Sequence, residues 1–254
     1  MEKFTEKLSN FYNKFNENKR LDHRHGQVEF ITSMKYIHQY LSKNDKVIDI
    51  GAGAGRYSIA LKNEGYDVTA VELCRPNIGK IKTNDSELKV VEANAMDLHM
   101  FQDNEFDFAI MFGPMYHLYS FEDKLKALNE AKRITKKYIF VTYIMNEYSV
   151  IEYAFKDNNY SKIKDKLDEN YHINDPDALF FQSRLEDIDL LNQEANLQLV
   201  KRFASDGPSD YMRTYINSMD DDTFNGFVDY HLKTCERKEL LGASSHVVDI
   251  LIKN

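Results

Sequence analysis

The chain has 254 residues but only two cysteines, Cys74 and Cys235, with four prolines and ten glycines. Two cysteines exclude a disulfide framework and a cysteine-based zinc centre. There is no internal repeat, no low-complexity stretch and no linker rich in Gly, Pro or Ser, so nothing marks off separate modules. No apolar run reaches the ~18 residues that a membrane span needs, which excludes a spanning helix. The opening MEKFTEKLSNFYNKF is mixed in charge and lacks an apolar centre. It does not read as a secretory signal, and the expected location is cytoplasmic. Positive charge is also short: 33 Lys and Arg against 41 Asp and Glu give −8. Such a chain repels phosphate backbones on average, so nucleic acid is a disfavoured partner. The densest basic cluster, Lys132-Arg133 with Lys136-Lys137, falls where a helix should end and complements its dipole.

What is present describes an ordinary folded unit. Apolar residues make up 43% and charged residues 29%, which excludes a disordered chain. The length suits one domain carrying insertions. Residues 1–45 read as two helices. Phe4, Leu8, Phe11 and Phe15 recur at helical spacing, and Phe30, Met34, Ile37 and Leu41 do so again. A polar segment, 16–27, separates them and contains Arg20, His23, Arg24 and His25. From residue 46 short apolar runs alternate with amphipathic stretches. Strands are expected at 46–50, 68–73, 87–93, 106–112 and 138–144. Helices are expected at 58–66 and 76–83, and then behind Ser120 with Phe121, Leu125, Leu128, Ala131 and Ile134 as the apolar face. Strands separated by single helices make βαβ units, and therefore a parallel sheet with helices on both faces. Farther on, 146–170 reads as helical, 180–184 as a short extended piece, 185–195 as a helix packing on the sheet and 197–205 as a sixth strand. A final strand is expected at 246–254. Segments 146–184 and 208–240 read as helical insertions in a 46–254 domain. With 1–45 they are expected to form a lid over one end of the sheet.

Four of the ten glycines fall between Gly51 and Gly65. The run Val47-Ile48-Asp49-Ile50-Gly51-Ala52-Gly53-Ala54-Gly55-Arg56 takes a strand through a glycine-rich turn into a helix. Such a turn lets the backbone approach a ligand at the carboxyl ends of the strands. A dinucleotide fingerprint would be G-x-G-x-x-G, with pyrophosphate on the helix N-terminus. Here the spacing is G-x-G-x-G, and Asp49 stands two residues before the first glycine. A carboxylate there repels pyrophosphate and suits an ammonium group. Glu72, at the end of the second strand, can accept hydrogen bonds from both hydroxyls of a ribose. The pattern describes a ligand with an adenosine-like ribose and an amino-acid end.

The stretch from about 46 to 143 resembles the catalytic core of the class I S-adenosylmethionine-dependent methyltransferases. The resemblance rests on the loop 49–55, on Glu72, and on the turn Ala93-Asn94-Ala95-Met96-Asp97. It rests also on Phe106-Asp107 and on Phe112-Gly113-Pro114-Met115-Tyr116-His117-Leu118 around the fourth strand. It implies a Rossmann-like doubly wound α/β sheet of seven strands, the last antiparallel, with 246–254 in that place. It implies S-adenosylmethionine as cofactor and S-adenosylhomocysteine as product. Asp49, Gly51, Ala52, Gly53 and Gly55 would hold the methionine part and Glu72 the ribose. Leu73 would pack on adenine, and Asn94, Ala95 and Met96 would read its edge, with Phe112 and Gly113 also on the cofactor. Asn94 stands where the family often has Asp. The family's Pro-Gly-Gly turn before the fifth strand is replaced by Thr135-Lys136-Lys137. An NAD-dependent oxidoreductase and a methyltransferase-like protein without activity stand as alternatives.

For the acceptor, the (Asp/Asn/Ser)-Pro-Pro-aromatic motif of nucleic-acid amino-methyltransferases is missing, with Gly113-Pro114-Met115-Tyr116 in its place. Helical insertions around the sheet suit an enclosed pocket, so a small-molecule acceptor is expected, and no nucleic acid or membrane partner. His117, just after the fourth strand, is the expected general base because imidazole titrates near neutral pH, and His25 is the second choice. Tyr12 and Tyr116 are candidate pocket residues. No metal is expected, since His23-x-His25 has no third ligand at useful spacing. Cys74 reads as a packing residue, Asp107 as structural, Gly65 as a helix cap and Asp220-Asp221-Asp222 as a solvated helix start.

Overall fold

The structure is a computed structural model that describes residues 2–14, 22–156, 158–175 and 177–254. Phe15, Arg20 and the Phe4 side chain, named above, lie outside what is described. Seven strands form one sheet: β1 (Lys46–Ile50), β2 (Asp67–Glu72), β3 (Lys89–Glu92), β4 (Phe106–Met111), β5 (Thr135–Ile144), β6 (Leu197–Ala204) and β7 (His246–Lys253). Their order is β3-β2-β1-β4-β5-β7-β6. β1 to β5 pair in parallel, and β7 runs antiparallel between β5 and β6. This is the expected Rossmann-like α/β sheet with its last strand antiparallel. The order reverses between β1 and β4, so a ligand crevice opens at their carboxyl ends.

The strands are apolar because both faces are covered: Val47, Ile48 and Ile50 of β1 and Phe108, Ala109 and Ile110 of β4 are fully buried. The helices are α1 (Glu2–Lys14), α2 (Arg24–Tyr40), α3 (Arg56–Asn63), α4 (Arg75–Asn84), α5 (Phe121–Ile134), α6 (Asn146–Val150), α7 (Tyr160–Ile163), α8 (Leu185–Glu194), α9 (Arg213–Ser218), α10 (Asp221–Thr234) and α11 (Lys238–Leu241). No helix among the described residues is long and apolar enough to cross a membrane.

Three local expectations change. Ser120 does cap α5, accepting from the Asp123 amide at 3.0 Å. The buried face of α5 is however Lys124, Ala127, Leu128, Ala131 and Ile134, and Phe121 is exposed. The Lys124 stem supplies the apolar surface, and its ammonium lies 3.0 Å from the centre of the Phe181 ring. Thr135-Lys136-Lys137 form no turn: β5 begins at Thr135, directly after Ile134 of α5. Lys136 and Lys137 there meet Asp107 and Asp45, which accounts for their charge locally. The stretch 146–170 is broken into α6, a π-helical turn at Ile151–Lys156, α7 and a 3₁₀ turn at Lys164–Lys166.

The sheet side away from the glycine loop is held by one buried charge cluster. Asp249 of β7 is fully buried and takes two bonds from Arg202 of β6, from Nε at 2.5 Å and from Nη2 at 2.8 Å. Asn192 of α8 donates a third at 2.7 Å. Removing Asp249 leaves the guanidinium with only the exposed Asp189 carboxylate, at 2.8 Å, in place of its buried counter-charge. Asp249→Ala is expected to lower the unfolding free energy by about 3–5 kcal/mol in urea denaturation at neutral pH. A loss under ~1 kcal/mol would show that the cluster relaxes into water.

Candidate functional site

The glycine loop is built by backbone bonds to the neighbouring strand. The amides of Gly51 and Ala52 both reach the Val71 carbonyl, at 2.8 and 2.9 Å. Gly51 has φ +75, and a Cβ there would lie 2.6 Å from Pro114 Cδ, so both conformation and space require glycine. Gly53 has φ +57, and a Cβ added there would meet nothing within 4 Å. Its bare face therefore opens onto free space beside the strand ends. The loop then enters α3 at Gly55.

Two buried carboxylates stand under this loop. Glu72 accepts from the Gly53 amide at 2.7 Å through Oε2 and from the Cys74 amide at 2.8 Å through Oε1. It thus ties the loop to the start of α4. Asp49 accepts from the Ser58 hydroxyl at 2.5 Å. Burial, with the nearby Glu72 charge adding to it, pushes the Asp49 carboxyl up to about 7, while Ser58 pulls the other way. Burial also raises Glu72, against the lowering effect of its backbone bonds. Asn94 closes its turn by accepting from the Met96 amide at 3.0 Å.

A cavity of 310 Å³ lies at this point. Of the residues singled out in the sequence, Asp49, Gly51, Ala52, Gly53, Glu72, Leu73, Asn94, Ala95, Met96, Phe112, Gly113, Tyr12, Tyr116 and His117 line it. Gly55 does not, since it turns the chain into α3 against Ile81. His25 does not either. Its Nδ1 pairs with the Asn217 side chain at 3.0 Å, and its ring stacks on His23. The structure therefore takes His25 away from the cavity. Cys74 lines it with a thiol that burial pushes up to about 11, which fits packing and not a nucleophile.

His117 differs from the expectation of a group titrating near neutrality. Its Nδ1 faces the Leu179 carbonyl at 2.8 Å, which can only accept, so Nδ1 carries the proton. Nε2 then accepts from the Tyr12 hydroxyl at 2.9 Å. Burial pulls its pKa down to about 4, although the Leu179 bond opposes this. The ring is neutral throughout the physiological range and is a weak base. Tyr12 belongs to α1, and its carbonyl accepts from Lys80 at 2.7 Å. Leu8 and Tyr12 thereby bring α1 onto the cavity.

Sequence reasoning missed Glu29, Arg56, Tyr57, Asn77, Tyr119 and Asp123 in the lining. It also missed the group Glu29, Asp206 and His246, whose ligand atoms lie within 4.8 Å of one another. Glu29 carried one readable signal, an acid embedded among the buried positions Val28, Thr32 and Ser33 of α2.

A family model described as a methyltransferase domain matches residues 48–140. Among curated proteins none matches the chain in sequence. Solved structures are similar in fold. A protein of Thermotoga maritima, described as a S-adenosylmethionine-dependent methyltransferase and possible histamine N-methyltransferase, has TM-score 0.59 and 20% identity over 96% of this chain and 98% of that one. A S-adenosylmethionine-dependent methyltransferase of Methanosarcina mazei has TM-score 0.59 and 17% identity over 86% and 96%. The magnesium protoporphyrin IX methyltransferase of Synechocystis, with bound S-adenosylhomocysteine, has TM-score 0.57 and 11% identity over 95% and 89%.

The His117 environment predicts a stability slope. The unfolded imidazole takes a proton near 6.5, while the folded one resists it down to about 4. Its contribution to stability is complete above 6.5 and is lost as pH falls through about 4, amounting to about 3 kcal/mol at most. Urea midpoints at pH 7 and pH 4 should differ less in His117→Gln than in the wild type. An identical difference in both would place the slope elsewhere.

Proposed function

We propose that residues 48–140, which match a methyltransferase domain, carry class I S-adenosylmethionine-dependent methyl transfer, and that the chain methylates a small molecule enclosed in the cavity beneath α1. One observation carries the reading: Asp49, Glu72, the bare face of Gly53 and the Asn94 turn converge on a single cavity that α1 covers through Leu8 and Tyr12. Such a cover favours an acceptor small enough to be enclosed over one that lies across an open groove. The lining acids Glu29, Asp49, Glu72 and Asp123, against Arg56 as its one cation among the described residues, disfavour a phosphodiester.

The donor set suits the cofactor. Asp49 meets its ammonium, and Glu72 accepts from the ribose hydroxyls with the lone pairs that the Gly53 and Cys74 amides leave. Leu73 packs on the adenine, and Asn94 to Met96 face its edge. When bound, the cofactor supplies a sulfonium-activated methyl group, so the protein's task is alignment and exclusion of water. Proximity of this kind contributes several kcal/mol, up to about 7–11 in ideal cases. In this reading α1 acts as the lid, braced by Phe180 against Phe11, while no described residue of 146–184 or 208–240 lines the cavity. His117 positions Tyr12 at the acceptor side; with Nδ1 on the Leu179 carbonyl and Nε2 on the Tyr12 hydroxyl, both its nitrogens are engaged and neither is placed to take a proton from an acceptor.

Two outcomes test the cofactor half. Asp49, held near 7 by burial, should lose its proton when an ammonium binds against it. The sign follows: S-adenosylhomocysteine should bind more weakly as pH falls below 7. Calorimetry in buffers of different ionisation enthalpy should find about one proton released per ligand at pH 6 and few at pH 8. No release at pH 6 would mean that Asp49 does not face the ammonium. Second, Glu72→Ala should weaken S-adenosylhomocysteine by roughly 2–3 kcal/mol, since bonds to charged groups are worth about 1.5–3 each and do not add fully. Stabilisation of the wild type by NAD but not by S-adenosylmethionine in a thermal scan would return the oxidoreductase alternative. Turnover with a metabolite extract, read as a +14 Da product, separates an enzyme from an inactive binder.

A further inference from the structure

The cavity has a second acidic wall that the cofactor contacts do not use. Glu29, from α2, lines the cavity with its side chain 10% exposed. Next to it stand His246, at the start of β7, and Asp206, just after β6. His246 Nδ1 lies 2.7 Å from Asp206 Oδ2 and 4.0 Å from Glu29 Oε2. Asp206 Oδ1 accepts from the Ser244 hydroxyl at 2.6 Å and from the His246 amide at 3.0 Å, which fixes the pair. β7 is antiparallel, so its first residue and the end of β6 both reach the same sheet edge as the carboxyl ends of β1 and β4. Glu29 is thereby placed over the β5–β7–β6 half of the edge, away from the β1–β2–β3 half that carries Asp49, Glu72 and Asn94.

Two features set the chemistry of this wall. The first is charge. With His246 neutral the group Glu29, Asp206 and His246 carries −2, and with it protonated −1, so in either state a bound cation lowers the net buried charge. The 2.7 Å separation marks a proton between His246 and Asp206. Two ligand atoms of a tetrahedral metal at its usual bond lengths would stand roughly 3.3 Å apart or more. The second feature is aromatic surface. Tyr12, Tyr57, Phe112, Tyr116 and Tyr119 line the same cavity, and aromatic faces attract an organic cation. The Tyr116 ring lies 6.4 Å from that of His246, linking the acidic wall to the residues that follow β4.

We infer that the methyl acceptor is a small amine, taken up as its ammonium and seated by Glu29 against the tyrosine walls. The inference rests on the methyl-transfer reading above. In the transfer the ammonium gives one proton to the Glu29 carboxylate. The freed nitrogen lone pair forms the N–CH₃ bond, and the electron pair of the methyl carbon–sulfur bond stays on sulfur. The product leaves as the methylated ammonium, and Glu29 returns its proton to water. Asp206 and His246 bond to each other beside Glu29.

The test uses the full chain and begins with S-adenosylhomocysteine alone. If that fails to bind, the methyl-transfer reading falls, and the amine with it. The saturated complex is then titrated with skeleton-matched probes: propylamine, propanol and butanoate, and 2-phenylethylamine, 2-phenylethanol and 3-phenylpropanoate. In at least one series the amine should bind at least tenfold tighter than its alcohol and its acid. Glu29→Gln should shrink that preference below threefold while S-adenosylhomocysteine affinity stays within threefold of wild type, which also certifies the fold. Glu29→Asp should restore part of the preference. No amine preference in the wild-type complex, or an equal preference in Glu29→Gln, overturns the substrate class and leaves the cofactor reading standing.

Discussion

The site depends on two carboxylates buried next to each other at the ends of adjacent strands. Asp49 on β1 and Glu72 on β2 are each almost wholly removed from water. The groups that hold them are dipoles: the Ser58 hydroxyl on Asp49, and the Gly53 and Cys74 amides on Glu72. Desolvation outweighs those bonds for both, which is why both carboxyls titrate above their ordinary values. A site in this state favours a ligand that brings positive charge to it. The same bonds shape the backbone. Glu72 fixes Gly53 and the first turn of α4 together, and Gly51 is pinned between Val71 and Pro114. Loop, strand end and helix start are therefore one mechanical unit organised around a charge.

Much of that unit was legible in the sequence because its parts are local. A strand of five residues, a run of spaced glycines and an acid at the next strand end keep their meaning wherever the chain goes later. The parallel sheet followed from the alternation of strands and helices, and the antiparallel course of the last strand from the family resemblance. The acidic wall was not legible. Glu29, Asp206 and His246 come from α2, the end of β6 and the start of β7, and only the antiparallel course of β7 brings them to one place. His117 was found but its chemistry was misread, since its pKa is set by burial beneath Tyr12 and Leu179, which no local pattern reports. Thr135 was misplaced because helix α5 passes into β5 with no intervening turn, leaving no glycine or proline to mark the boundary.

The floor and the cover of the cavity are held by different kinds of interaction. The floor is sheet backbone and buried carboxylates, inside the most protected part of the fold. The contacts of the cover include Tyr12 to His117 at 2.9 Å, the Tyr12 carbonyl to Lys80 at 2.7 Å, and the Phe11 ring edge on Phe180 at 5.4 Å. Polar contacts of this sort are worth about 0.5–1.5 kcal/mol each, beside the buried Leu8 side chain.

That division also separates proton dependence from closure. The contact that brings α1 down uses a histidine that stays neutral to about 4, so protonation does not break it at any pH where the fold is normally stable. The carboxylate that titrates near 7 lies in the floor, at the position where the ligand's ammonium is expected. A change of pH through neutrality therefore alters how strongly the floor attracts its cation and leaves the cover's main polar latch unchanged.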